Sequence, residues 1–260
     1  MISYGMFTTF LYLCSMEKKI IIIPDVHGRR FWRDAIQSDD YDKVIFLGDY
    51  LDPYPDEGIG PFTAQEGLER ILLYHDEHPD KVVLLLGNHD LHYLNEHYRD
   101  LSTSCRYNEE YSDYYSQLFK EGGKFKLAHE EIVGNQKYLF THAGVSMPWL
   151  KRNKAVIGKP DAEHLNRLLM TDEGIEALAQ VGIIRGGMYL NGSMVWCDCD
   201  ELALSNPLPD VYQIVGHTQQ FCGLPFITPH FACLDTRSAY VLDAQGINVV
   251  VPTDCYSESR

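Results

Sequence analysis

No segment of this chain offers an apolar run long enough to cross a bilayer. The N-terminal candidate, Met6 to Cys14 in MISYGMFTTFLYLCSMEKK, is about nine residues, where a spanning helix takes roughly 20. No basic residue precedes that run and no A-x-A cleavage pattern follows it, so it does not read as a secretion signal. Positive charge is also scarce. Twenty-two Lys and Arg stand against 37 Asp and Glu, a formal charge of −15, which repels phosphate backbones and anionic lipid unless cations intervene. Neither nonspecific nucleic-acid binding nor a membrane partner is expected. Cysteine is sparse and odd in number, seven in all, at 14, 105, 197, 199, 222, 233 and 255. Such usage reads as a reducing, cytoplasmic setting rather than a disulfide framework. Cys197-Asp198-Cys199 has no second cysteine pair to complete a tetrahedral zinc site. Internal repeats, low-complexity tracts and Pro/Ser linkers are missing too, which leaves nowhere to draw an internal domain boundary.

What the chain does have is apolar bulk, 45% of 260 residues, enough to bury a large core. We expect one domain over residues 16–260 and an N-terminal extension over 1–15 outside it, because Met16, followed by Lys18-Lys19 and a strand, reads as a second start. Lys19 to Pro24, Lys43 to Leu47 and Lys81 to Leu86 are short apolar runs of the kind buried on both faces of a parallel sheet. Each ends in a small polar cluster, DVHG, GDYLD and GNHD in turn. Between them, Arg29 to Gln37 and Phe62 to His78 have helical spacing, as in Leu68, Ile71 and Leu72. Alternation of this sort predicts parallel βαβ units, whose ligands gather beyond the carboxyl ends of the strands. Residues 91 to 120 read as weakly patterned helix, Lys124 to Ile132 and Lys137 to Thr141 as paired strands, and 146 to 195 as helix and loop. The closing runs VYQIVG, CLDT, AYVLDA and INVVVP predict a second sheet.

The polar clusters carry the chemistry. In IIIPDVHGRR, Asp25 and His27 are two apart, so an extended backbone aims both at one object. Further along, HAG follows Tyr138 to Thr141 and GHT follows Val211 to Val215, so five runs deliver Asp25, His27, Asp49, Asn88, His142 and His217 to what could be one edge. Any one of these residues alone is an ordinary turn or hydrogen-bonding group; together they form a set. Mixed nitrogen and oxygen donors suit Mn²⁺, Fe²⁺ or Zn²⁺ better than Mg²⁺ or Ca²⁺. Six donors are too many for one such ion with open positions and fit two ions sharing a carboxylate. Two ions roughly 3.5 to 4 Å apart can clamp a phosphoryl group and lower the pKa of a bridging water.

D-x-H-G at 25–28, G-D-x-x-D at 48–52, G-N-H-D at 87–90, T-H-A-G at 141–144 and G-H-T at 216–218 resemble, in order and spacing, the calcineurin-like metallophosphoesterase family. L-D-T at 234–236 is similar to a segment of its serine/threonine-phosphatase-like and diadenosine-tetraphosphatase-like branch. The resemblance implies an α/β fold, a four-layer αββα sandwich of two mixed β-sheets flanked by helices. It also implies roles: Asp25 and His27 on a first metal, Asp49 bridging, Asn88, His142 and His217 on a second, with Mn²⁺ first and Fe²⁺ or Zn²⁺ as alternatives. His89 would be the general acid and Asp52 its orienting carboxylate. Attack on the ester would come from a water bridging the two ions.

Two departures from the family pattern bear on substrate. The branch usually reads G-D-x-x-D-R-G, whereas here GDYLDPY puts Pro53 where a phosphate-gripping arginine is expected. GHTQ also lacks the second histidine of the cyclic-phosphodiesterase and nuclease-like branches. Replacement arginines are sought in Arg185, within GIIRGGMY, and in Arg106, with Arg29 and Arg237 behind them as turn caps or solvated charges. The expected activity is a phosphomonoesterase acting on a phosphorylated small molecule, nucleotide or phosphoprotein. Its alternatives are a phosphodiesterase or diadenosine-polyphosphate hydrolase and, from another class, a metal-binding scaffold without catalysis.

Overall fold

The computed structural model describes residues 18–38, 40–102, 106–205 and 208–251, so the expected extension over 1–15 lies outside the described residues. The first sheet begins with β1 (Ile20–Ile23), β2 (Lys43–Phe46), β3 (Val82–Leu85) and the short β4 (Phe125–Lys126), all parallel. The second takes β5 (Ala128–Val133), β6 (Gln136–Thr141), β7 (Tyr212–Val215), β8 (Phe226–Ile227) and β9 (Phe231–Cys233). The chain then returns to the first sheet with β10 (Ala239–Asp243) and β11 (Gly246–Val251). Strand order is β11-β10-β1-β2-β3-β4 in one sheet and β5-β6-β7-β9-β8 in the other. Both are mixed: β10 runs antiparallel to β1, and β6, β7 and β9 are parallel beside antiparallel β5 and β8.

Alternation along β1 to β3 sorts their side chains into two dry layers. Ile20, Ile22, Ile45, Leu47, Val83 and Leu85 pack between the sheets against Phe140, Ile214, Ala232 and Leu234. Ile21, Ile23, Val44, Phe46, Val82 and Leu84 face the opposite way, onto Ala64, Leu68, Ile71 and Leu72 of the helix Pro61–Glu77. Beyond the second sheet, Val215, Phe231 and Cys233 pack on Cys199 and Leu202 of the helix Cys199–Leu204. The layers are helix, sheet, sheet, helix. No helix among the described residues is long and apolar enough to cross a membrane.

Three segments differ from the sequence expectation. Arg29 to Gln37 yields only a single helical turn, Trp32–Ala35. Lys124 to Ile132 is not one strand, because the chain leaves the first sheet after β4 and enters the second at β5. At that crossing the Asn166 side chain accepts from the backbone N–H of Leu127 and Ala128 at 2.7 and 2.9 Å and donates to the Ala128 carbonyl at 3.0 Å. An amide thus supplies the bonds that a ladder would have made. Finally, AYVLDA and INVVVP do not extend the second sheet; they close the free edge of β1.

Candidate metal centre and cleft

Five strands end at one edge. Beyond β1 stand Asp25 and His27, beyond β2 Asp49 and Asp52, beyond β3 Asn88 and His89, beyond β6 His142, and beyond β7 His217; all eight are buried. Four have left-handed backbone, His27 (φ 45°), Asp49 (52°), Asp52 (58°) and His217 (65°). Side-chain-bearing residues held there cost about 1–3 kcal/mol each and persist only where surrounding structure imposes them. The imposition is visible. Asp25 Oδ1 accepts from the His217 N–H at 2.8 Å, and Asp49 Oδ1 accepts from the His89 N–H at 3.0 Å. Each contact passes over a glycine: a Cβ on Gly216 would lie 2.2 Å from Asp25 Oδ1, and one on Gly87 2.0 Å from Asp49 Oδ1. That is why a glycine precedes His217 and Asn88. Asp90, fully buried, accepts from the N–H groups of Asp49, Tyr50 and Gly87 at 2.7, 3.0 and 2.8 Å, tying the loop after β2 to the loop after β3.

With Oδ1 of each carboxylate occupied, Oδ2 faces the imidazoles. His27 Nε2 lies 3.5 Å from Asp49 Oδ2 and 4.0 Å from Asp25 Oδ2. His142 Nε2 lies 3.5 Å from Asp49 Oδ2, 3.0 Å from Asn88 Oδ1 and 3.1 Å from His217 Nδ1. The tautomers of two rings follow from their other nitrogens. His27 Nδ1 meets the Leu51 carbonyl at 2.8 Å and His142 Nδ1 meets the Leu47 carbonyl at 2.9 Å. A carbonyl only accepts, so both rings carry the proton on Nδ1 and turn a lone pair inward from Nε2. Burial pushes His27 and His217 well below the ordinary histidine range, toward the neutral form that ligates, and pushes the Asp25 carboxyl upward. His217 Nε2 is buried with no hydrogen-bond partner.

Buried carboxylates and imidazole nitrogens crowded this closely are stabilised by a cation between them. The donors form two groups, Asp25, His27 and Asp49, and Asp49, His142 and His217, each with ligand atoms within 4.8 Å of one another. Asp49 belongs to both, so the residues present fit a pair of divalent ions. Asp198, Cys199 and Asp200 also approach one another, but Asp198 caps the helix that follows and pairs with Arg185 at 2.8 Å.

A cleft of about 560 Å³ opens over the centre, lined on one side by Asp25, His27, Asp49, Asn88, His89 and His217. His89 Nδ1 is 2.8 Å from Asp52 Oδ2, whose other oxygen accepts from the Tyr93 hydroxyl at 2.5 Å. Arg106 Nη2 is 3.0 Å from His89 Nε2, and its guanidinium lies over the Tyr54 ring, 3.8 Å from the centroid. Arg185 also lines the cleft, with Nη2 2.9 Å from Thr218 Oγ1. Leu101, Val181, Met188 and Trp196 add apolar surface to the lining. Arg29 and Arg237 do not line the cleft: Arg29 caps the turn after β1, its Nη1 donating to the Asp25 carbonyl at 3.2 Å, and both guanidinium groups are paired. Arg29 forks onto Glu57 through Nε and Nη2 at 3.0 and 2.8 Å, and Arg237 reaches the same buried carboxylate at 3.0 Å. Sequence reading gave no part to Asp90, Tyr93, Tyr54, Trp196 or Glu57. Only Asp90 carried a signal, as the last residue of GNHD.

Two solved structures share the fold. A cold-active protein-tyrosine phosphatase of a psychrophilic Shewanella species superposes with a TM-score of 0.57 at 17% identity, over 90% of this chain and 78% of that one. A protein serine/threonine phosphatase from Saccharomyces cerevisiae gives 0.50 at 13% identity, over 90% and 79%. No curated protein matches. The family profile of the calcineurin-like phosphoesterases matches residues 18–221, a span that holds every residue of the centre, and the chain belongs to that family, hydrolases of phosphoester bonds.

Proposed function

We propose that the protein is a binuclear metal-dependent phosphomonoesterase. Asp25, His27 and Asp49 hold one divalent ion and Asp49, Asn88, His142 and His217 the other, with Mn²⁺ the first choice and Fe²⁺ or Zn²⁺ the alternatives. Ions bound there neutralise phosphoryl oxygens and lower the pKa of coordinated water. The observation that carries the reading is the pair of guanidinium groups, Arg106 and Arg185, lining the cleft beside the acidic centre. A phosphate monoester is a dianion with oxygens to spare for both, and charge spread over equatorial oxygens in the transition state favours forked cationic donors.

His89 is the general acid in this reading. Asp52 accepts the Nδ1 proton and fixes the ring; Nε2, which accepts from Arg106 in this structure, takes up a proton and gives up that contact before it passes one to the leaving oxygen. Because Arg106 Nη2 stands 3.0 Å from that nitrogen, an ester oxygen reaching His89 also reaches Arg106. The apolar lining residues Leu101, Val181, Met188 and Trp196 receive the remainder of the alcohol. Such a substrate is a phosphorylated small molecule, nucleotide or phosphoprotein of the cytoplasm. One feature favours a diester or diadenosine-polyphosphate instead: Pro53 stands where the related phosphatases carry an arginine.

The test is a panel with Mn²⁺, set against phenyl phosphate, phosphoserine and phosphotyrosine peptides, bis(p-nitrophenyl) phosphate and diadenosine tetraphosphate. We expect kcat/KM for monoesters to exceed that for diesters, and Arg106→Ala and Arg185→Ala each to lower it more than about tenfold, the loss of one charge-assisted contact, with both ions still bound. A diester preference left unchanged by both substitutions would overturn the assignment. Hydrolysis of nothing in the panel would leave a metal-binding scaffold.

A further inference from the structure

Three buried thiols, Cys197, Cys199 and Cys233, lie in the small core outside the second sheet. Two of them touch the loop that carries His217. Cys233, at the end of β9, has its sulfur 3.2 Å from the Gly216 carbonyl and 3.3 Å from the Thr218 carbonyl, the two residues flanking His217. Cys199, first in its helix, donates its N–H to Thr218 Oγ1 at 3.0 Å. The two sulfurs are neighbours around one amide: Gln220 Nε2 lies 3.6 Å from Cys199 Sγ and 3.7 Å from Cys233 Sγ while donating to the Thr218 carbonyl at 2.8 Å.

We propose that Cys199 and Cys233 are a redox pair, oxidised by a peroxide to a disulfide that displaces the Gly216–Gln220 loop and reversed by a small thiol. Cys199 is the attacking sulfur. It keeps a little exposed surface (6%) where Cys233 has none, and the neighbouring Cys233 thiol holds it below the ordinary range while Cys233, beside Cys199 and fully buried, is held above it. The Cys199 thiolate attacks one peroxide oxygen, the O–O bond breaks, and the departing hydroxide takes a proton and leaves as water. Cys233 sulfur then attacks the sulfenic sulfur; an S–S bond forms, the S–O bond breaks, and a second water leaves. Two thiols lose two electrons and two protons, and hydrogen peroxide becomes two waters.

The disulfide reaches the site through atoms already named. It draws the sulfurs to about 2.05 Å and removes the S–H that Cys233 shares between the Gly216 and Thr218 carbonyls. Thr218 Oγ1 is also the partner of Arg185, so a cation lining the cleft and a ligand of the centre shift together. This effect on turnover rests on the proposed phosphomonoesterase, whereas formation of the disulfide does not.

Metal-stripped full-length protein, wild type and the Cys199→Ser and Cys233→Ser variants, is treated with hydrogen peroxide, alkylated and mapped as unreduced peptides. We expect a Cys199–Cys233 cross-link in wild type alone, released by dithiothreitol. No cross-link, or one formed chiefly by the exposed Cys222, overturns the pair. Reloaded with Mn²⁺, oxidised wild type loses activity on the order of tenfold or more, given how steeply catalysis depends on ångström displacements. Dithiothreitol restores it, and Cys199→Ser, the milder of the two changes, resists peroxide. A cross-link with full activity overturns the coupling. Absence of hydrolysis in every form counts against the phosphomonoesterase alone, because the peptide map still decides the disulfide.

Discussion

Asp52 meets His89 on Nδ1, and the tyrosine behind it, Tyr93, fixes the carboxylate in turn. Acid catalysis and metal binding are therefore separable. His89→Asn leaves ion content unchanged and lowers kcat about 10²- to 10⁴-fold for esters of alkyl alcohols, the usual range for a positioned proton donor. Activated aryl phosphates lose far less, since their leaving oxygen scarcely needs the proton. Equal losses in the two series would remove His89 from the role. The donors themselves were legible in the sequence because each follows an apolar run and strand geometry aims such residues together. Arg106 and Arg185 were legible only as charges in polar or glycine-rich segments, and both line the cleft. Arg29 and Arg237 looked similar but are spent on Glu57, a pairing set by distance in space and not by neighbours in sequence. Tyr93 and Tyr54 were hidden for the same reason.

Among elements, the helix Asn88–Leu94 does most to join the strand ends, through Asp90. Asp90→Ala leaves three buried backbone N–H groups without an acceptor, and we expect a loss of about 2–4 kcal/mol in denaturant unfolding, from a desolvation penalty near 1–3 kcal/mol per orphaned group partly relieved by water. Asp90→Asn keeps an oxygen and loses less. Equal stability of the alanine variant and wild type would mean that the loops are held otherwise. The same helix carries His92, buried beside Tyr98 and 3.1 Å from Ser102 Oγ. Burial pushes its pKa down to about 4, whereas the unfolded residue protonates near 6.5. Between those values the unfolded chain takes a proton that the folded chain refuses, so this contribution is intact above the unfolded pKa and is lost as pH falls toward the folded one. His92→Phe removes it. Unfolding free energies of wild type and variant, compared from neutral pH down to about 4, should converge or cross by up to about 3 kcal/mol; a constant difference would exclude the residue. At this scale, periodicity revealed β1, β2, β3 and the helix Pro61–Glu77. It could not reveal that one run splits across two sheets at Asn166, or that β10 and β11 return to the first, because hydrogen-bond partners far along the chain decide both.

As a whole, the molecule brings the candidate donors together only when folded, since they span Asp25 to His217. Each ion then stabilises by mass action, about 4 kcal/mol when free metal is a thousandfold above its dissociation constant. In a chain of this size that is roughly 8–16 °C in Tm for one ion and about twice that for two. Mn²⁺ titrated into chelator-treated protein should raise Tm by that order, with a plateau at two ions per chain in parallel elemental analysis. An unchanged Tm, or saturation at one ion, would leave at most a mononuclear centre. The return of β10 to pair with β1, Ile20 opposite Leu242 and Ile22 opposite Tyr240, has a different consequence, in synthesis. On the ribosome the four-isoleucine strand emerges long before β10, and one of its edges finds its partner only after more than two hundred further residues have been made. Throughout that interval an apolar edge is open to pairing with any neighbouring nascent chain. Chains arrested before residue 239 should therefore aggregate or be held by chaperones, while synthesis of β10 and β11 completes the sheet.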